Sequence, residues 1–143
     1  FGGSLVRPMG GALADRIGGS RALMVVYAIA ALALAGVAFA STLAAALVLF
    51  VVAMLALGTG NGSVFQLVPQ RFQAEIGIMT GLVGMAGGIG GFYLASSLGL
   101  AKQLTGSFAP GFLIFAGLAI AALLGLSLVK AKWRASWSTG ARI

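Results

Sequence analysis

The sequence predicts an all-α, polytopic membrane protein, and three observations carry that prediction. Of the 143 residues, 60% are hydrophobic and only 8% charged, with a mean hydropathy of +1.09. A soluble globular domain carries about 25% charged residues. Four long apolar stretches reach the roughly 20 residues that a helix needs to cross a hydrocarbon core. The nine Lys and Arg, against two acidic residues, fall mostly in the connections between those stretches. In a soluble chain a net charge of +7 would suggest a nucleic-acid partner. Here it reads as an orientation signal, and no nucleic acid is expected.

Composition also excludes chemistry. There is no Cys, so no disulfide framework or thiol chemistry is available and the redox compartment goes unread. There is no His, and Asp15 and Glu75 are the only carboxylates. A Ser-His-Asp triad and a clustered metal site are therefore excluded, and neither an enzyme nor a cofactor is expected.

The elements follow in order. Residues 1–14 hold Arg7. At about 1.5 Å per residue they cover roughly 20 Å of a core near 30 Å, so they read as the end of a helix that starts upstream. Phe1 opens inside this Gly-rich stretch with no initiator Met, and the chain reads as part of a longer one. Residues 15–21 form a connection with Arg16 and Arg21, and 22–40 form an uncharged helix ending at Ser41-Thr42. Residues 43–68 are apolar to Gly58, then turn polar through Thr59, Asn61, Ser63 and Gln66 before Pro69 stops the helix. A connection at 69–75 holds Arg71, a Gly-rich helix occupies 76–100, and a loop at 101–109 holds Lys102. The last helix, 110–129, begins with Pro at a favourable first-turn position, and 130–143 form a basic tail.

Arg16, Arg21, Arg71, Lys130, Lys132, Arg134 and Arg142 thus lie on one side, and Lys102 alone on the other. Positive residues mark the cytoplasmic side. The tail is then cytoplasmic and 101–109 periplasmic, with Trp133 and Trp137 at an interfacial aromatic belt. The tail reads as an orientation signal, with the lipid bilayer as its surroundings.

Arg7 is the most informative residue. It lies roughly 10 Å inside the cytoplasmic boundary, where an Arg costs at least about 2.5–3.5 kcal/mol on insertion scales and is a functional-site hypothesis by default. One reading has its stem snorkel to the headgroups or pair with a helix outside the chain. In the other, its permanently charged planar fork grips an oxyanion. Asn61 sits at a matching depth, and the Gly-rich helix passes that depth near Gly84. Asn61 and Ser63 either bond neighbouring helices, worth under about 1–2 kcal/mol, or face a ligand. The glycines at 77, 81, 84, 87, 88, 90 and 91 either allow tight helix packing or line a narrow path with bare backbone.

The segment Gly10-Gly11-Ala12-Leu13-Ala14-Asp15-Arg16-Ile17-Gly18-Gly19-Ser20-Arg21 resembles the loop motif of the major facilitator superfamily, with Gly11, Asp15, Arg16 and Gly18 at its positions. The resemblance implies the second copy of that motif, between the eighth and ninth helices of a twelve-helix bundle. The chain would be the C-terminal half, running from within helix eight, and its N-terminal half would be missing. It also implies that Asp15 faces the positive N-terminal end of a helix in that other half; a plain turn role is the alternative.

A narrower resemblance rests on Gly60-Asn61-Gly62-Ser63-Val64-Phe65-Gln66-Leu67-Val68-Pro69, on Thr80-Gly81-Leu82-Val83-Gly84-Met85-Ala86-Gly87-Gly88-Ile89-Gly90-Gly91-Phe92, and on Gly3-Ser4-Leu5-Val6-Arg7. These runs resemble the nitrate/nitrite porter family. The likeness implies alternating-access transport of nitrate or nitrite in a bacterial inner membrane, with Arg7 as one of two clamping arginines and no cofactor. Arg7, Asn61, Gly84, Gly87 and Gly88 are the expected substrate-binding residues. A transporter for another small anion is the alternative within this class, and a membrane-embedded structural or signalling subunit the alternative outside it.

Overall fold

The computed structural model describes residues 6–136. Gly3, Ser4 and Leu5 of the Arg7 motif, together with Trp137 and Arg142 of the tail, lie outside the described residues.

Five α-helices follow in sequence: α1 Arg7–Ile17, α2 Gly19–Phe39, α3 Leu43–Arg71, α4 Ile76–Thr105 and α5 Ala109–Ser136, with a 3₁₀ turn at Gln73–Glu75 between α3 and α4. Four helical segments, Gly19–Phe39, Leu43–Gln70, Gln73–Thr105 and Ala109–Lys130, are long and apolar enough to cross a membrane. The chain is an all-α, multi-pass membrane protein.

Helix ends are set by backbone chemistry rather than by where apolar residues run out. α1 continues through Asp15 and Arg16 and ends at Gly18, whose φ of 87° suits a residue without a Cβ. The segment 15–21 is therefore helical on both sides of a one-residue break, and the loop motif lies largely on helix. Gly18 N–H donates to the Ala14 carbonyl at 2.9 Å, and its own carbonyl accepts from Ala22 at 3.0 Å, so both helices are hydrogen-bonded through the turn. Thr42 caps α3, its hydroxyl accepting from the Ala45 N–H at 3.2 Å.

Pro69 lies inside α3 rather than ending it. The helix runs on to Arg71 and stops at Phe72, whose N–H still reaches the Val68 carbonyl at 2.9 Å. α4 extends past Leu100 to Thr105 and stops at Gly106, in the left-handed region at φ 72°. α5 likewise runs past Val129 and reaches Ser136. A polar residue beyond the hydrocarbon edge has no reason to leave a helix whose carbonyls it can still satisfy.

The packing is that of helices in lipid. α2 packs along both α3 and α5, and α1 against α3. Alanines dominate these seams: Ala33, Ala53 and Ala116 form one buried cluster with Leu34, and Ala30 and Ala56 another with Val26. Small side chains allow close backbone approach, which is the main source of attraction where lipid tails remove the hydrophobic drive. Phe50 and Phe112 meet edge to face at 6.1 Å. Large apolar side chains point outward instead, with Leu32, Phe39 and Leu43 at 75%, 77% and 77% exposure. α4 has no buried residue and leaves a cavity between itself and the rest.

Candidate functional site

Chain direction fixes the arrangement of the site. α2 reverses α1 and α3 reverses α2, so α1 and α3 run parallel. Arg7 and Asn61 then stand roughly 15 Å before the ends of α1 and α3, at about 1.5 Å per residue. The seam between the two helices is tight. A Cβ on Gly62 would run into the Arg7 carbonyl oxygen, and a Cβ on Gly10 into the Thr59 carbonyl oxygen. Ser63, fully buried at 0% exposure, donates to the Gly10 carbonyl at 2.9 Å and the Thr59 carbonyl at 3.1 Å. Thr59 in turn donates to the Leu55 carbonyl at 2.8 Å. Of the polar run on α3, Thr59 and Ser63 are thus engaged with helix backbone.

Asn61 is placed differently. It lines a cavity of about 850 Å³ walled by α1, α2, α3 and α4, together with Arg7, Gly84, Gly87 and Gly88. The structure brings all five expected binding residues to one cavity. Among the described residues only Arg7, Asn61 and Tyr27 bring polar side chains to its wall, and no acid lines it. The Arg7 guanidinium has no hydrogen-bond or ion-pair partner among the described residues. The Asn61 Oδ1 is buried without a partner among the described residues. An unsatisfied buried amide oxygen costs about 1–3 kcal/mol, and the carboxamide can present either its acceptor or its two donors to a ligand.

Of the Gly-rich stretch, Gly84, Gly87, Gly88 and Gly90 line this cavity. Among the described residues, nothing lies within 4 Å of a Cβ built at Gly77, Gly81, Gly84, Gly87, Gly88, Gly90 or Gly91. Among the described residues, glycines pressed against neighbouring backbone are Gly10 and Gly62, while Gly19, Gly60 and Gly111 are pressed against side chains of Leu67, Val26 and Leu98. Beyond this cavity, a second one of about 390 Å³ is lined by Leu34, Phe50, Met54, Leu94, Phe112 and Phe115. Tyr27, Leu57, Gly87 and Gly90 border both. Tyr27 was not among the expected residues. It lies roughly 12 Å into α2, a depth close to that of Arg7 and Asn61, and that match was the available signal.

The loop-motif residues occupy a separate place. Asp15, Arg16 and Gly18 line a polar cavity of about 560 Å³ with Arg21 and Gln70. Asp15 accepts a hydrogen bond from the Gln66 Nε2 of α3, a partner inside this chain. Gly11 has open space where its Cβ would be.

Among the described residues the cavity thus carries one unpaired guanidinium, one carboxamide, the Tyr27 phenol and bare backbone, a donor set chemically compatible with a small planar anion. No family model matches the chain. It is 38% identical over 123 residues to a nitrite extrusion protein of Bacillus subtilis, covering 85% of this chain and 31% of that protein. It is 34% identical over 125 residues to the probable nitrate transporter NarT of Staphylococcus carnosus, again 85% of this chain and 31% of the relative. A probable nitrate transporter NarT of Staphylococcus epidermidis is 31% identical over 136 residues, 92% of this chain and 34% of the relative. The chain therefore spans about a third of the length of these relatives.

Proposed function

Because this chain belongs to the nitrate/nitrite porter family of the major facilitator superfamily, we propose that it builds one wall of an anion site through which nitrate and nitrite cross the membrane by alternating access. The single observation that carries the proposal is the meeting of Arg7, Asn61, Gly84, Gly87 and Gly88 at one cavity that no acid lines among the described residues.

Arg7 holds the oxyanion. A guanidinium stays charged at any working pH and offers coplanar N–H donors, matching the flat array of oxygens on nitrate. Away from bulk water the attraction between opposite charges is far stronger than in water. An unpaired cation there gains most from an anionic guest. Asn61 orients the anion through its carboxamide, and the Gly84, Gly87 and Gly88 backbone leaves the room that side chains would fill. Midplane binding between helix repeats is the usual arrangement for alternating access. The basic connections and tail face the cytoplasm, and the lipid bilayer surrounds the apolar exterior. The reaction is transport, with no covalent step and no cofactor.

The test is nitrate uptake by cells that express this chain in its complete coding context. Arg7→Ala should abolish uptake. Arg7→Lys, which keeps the charge but loses the fork, should reduce it by at least about tenfold, equivalent to 1.4 kcal/mol. Uptake unchanged in Arg7→Ala would overturn the assignment. A preference of the wild type for another small anion over nitrate and nitrite would favour the alternative reading.

A further inference from the structure

The two polar side chains of the cavity that come from α1 and α3 are carried by backbones that touch. Asn61 is followed by Gly62, and the Arg7 carbonyl oxygen occupies the space that a Gly62 side chain would fill. On the parallel helix the reciprocal contact places the Thr59 carbonyl oxygen where a Gly10 side chain would be. Ser63, buried completely, bonds to the Gly10 carbonyl at 2.9 Å and so fixes the register of the seam.

We propose that Gly62 is a positioning residue of the anion site: by carrying no side chain it seats the Arg7 backbone against α3 and sets the separation between the Arg7 guanidinium and the Asn61 carboxamide. This rests on the reading of Arg7 as the anion ligand. Neither backbone carbonyl can yield as a flexible side-chain end would, so a methyl group at position 62 displaces α1 as a body and carries Arg7 away from Asn61. Displacements on the order of 1 Å cost up to about 100-fold at a site that depends on geometry. Ser63 acts in the same sense but more weakly, since its loss leaves the helices in contact and frees only their register.

The experiment compares Gly62→Ala, Ser63→Ala and the control Gly125→Ala, whose added Cβ meets nothing within 4 Å, in the complete protein reconstituted into proteoliposomes. Two quantities are read: the nitrate concentration for half-maximal uptake, and the rise in thermal unfolding midpoint on adding nitrate to detergent-solubilised protein. Gly62→Ala should raise the half-maximal concentration about tenfold with a smaller change in maximal rate, and should lose most of the nitrate-dependent rise. A residue that only supported the fold would lower the midpoint without nitrate and leave the nitrate-dependent rise intact, and that result overturns the proposal. If Gly62→Ala does not accumulate, Ser63→Ala decides: a rise of about threefold supports the proposal, and an unchanged value overturns it. Failure of Arg7→Lys to weaken transport would instead remove the anion site itself, whatever Gly62→Ala does.

Discussion

Gln66, on α3, donates through its Nε2 to the carboxylate of Asp15, on α1. The bond joins the loop motif to the helix that carries Asn61, on the same seam as the Ser63–Gly10 bond. Its other amide atom, Oε1, is buried without a partner among the described residues. The loop motif is thus mechanically continuous with the wall of the cavity.

That continuity gives the first prediction. Gln66→Glu replaces the hydrogen bond with two carboxylates set against each other. The thermal midpoint of Gln66→Glu should lie below wild type, by an amount near or under about 1 kcal/mol because Asp15 is exposed, and Gln66→Ala, which adds no charge, should cost less. Midpoints equal to wild type in both variants would show that the contact carries no weight.

The second prediction concerns the sign of the charge in the cavity. Asn61→Asp keeps the size of the side chain and adds a negative charge beside Arg7. It should pair with the guanidinium and raise the half-maximal nitrate concentration by at least about tenfold, whereas Asn61→Ala should cost less. Uptake measured over a nitrate series separates the two, and equal effects would deny the electrostatic account.

A third prediction follows from the open glycines of α4. Ala at Gly84 or Gly88 meets nothing within 4 Å among the described residues, and Ala is a better helix former than Gly by about 1 kcal/mol. Membrane abundance of Gly84→Ala and Gly88→Ala should be at or above wild type while the uptake rate falls, because the methyl group occupies the anion's path. Reduced abundance with an unchanged rate per molecule would assign these glycines to packing instead.

Coupling gives a fourth. Both carboxylates of the chain, Asp15 and Glu75, lie near helix ends and away from the cavity lining. Any proton coupling would then have to use groups outside this chain or water, and we propose exchange of anions instead: nitrite loaded inside proteoliposomes should accelerate nitrate entry, and entry should not alkalinise the medium. Alkalinisation in step with uptake would establish proton symport.

Much of this was legible in the sequence because a membrane imposes one length scale. About 20 apolar residues cross it, so 22–40, 43–68, 76–100 and 110–129 each announced a helix. The same 1.5 Å rise placed Arg7, Asn61 and Gly84 at one depth, and the structure sets all three on one cavity wall. Helix limits were less legible, since Gly18 and Phe72 end their helices through backbone geometry and hydrogen bonds while hydropathy marks only the lipid edge. Rotation about each helix axis was not legible at all. Depth alone could not tell that Ser63 turns into the seam and Asn61 lines the cavity, or that Tyr27 faces it. Nor could it tell that Gly62 meets Arg7 whereas Gly84 meets nothing, because both facts depend on the register of one helix against another.

The most direct test of the central claim is equilibrium binding of nitrate to the purified protein, measured by calorimetry for wild type and Arg7→Lys. The account predicts saturable binding in the wild type, weakened at least about tenfold by a substitution that preserves charge and removes the planar fork. Equal affinity in the two proteins would contradict it.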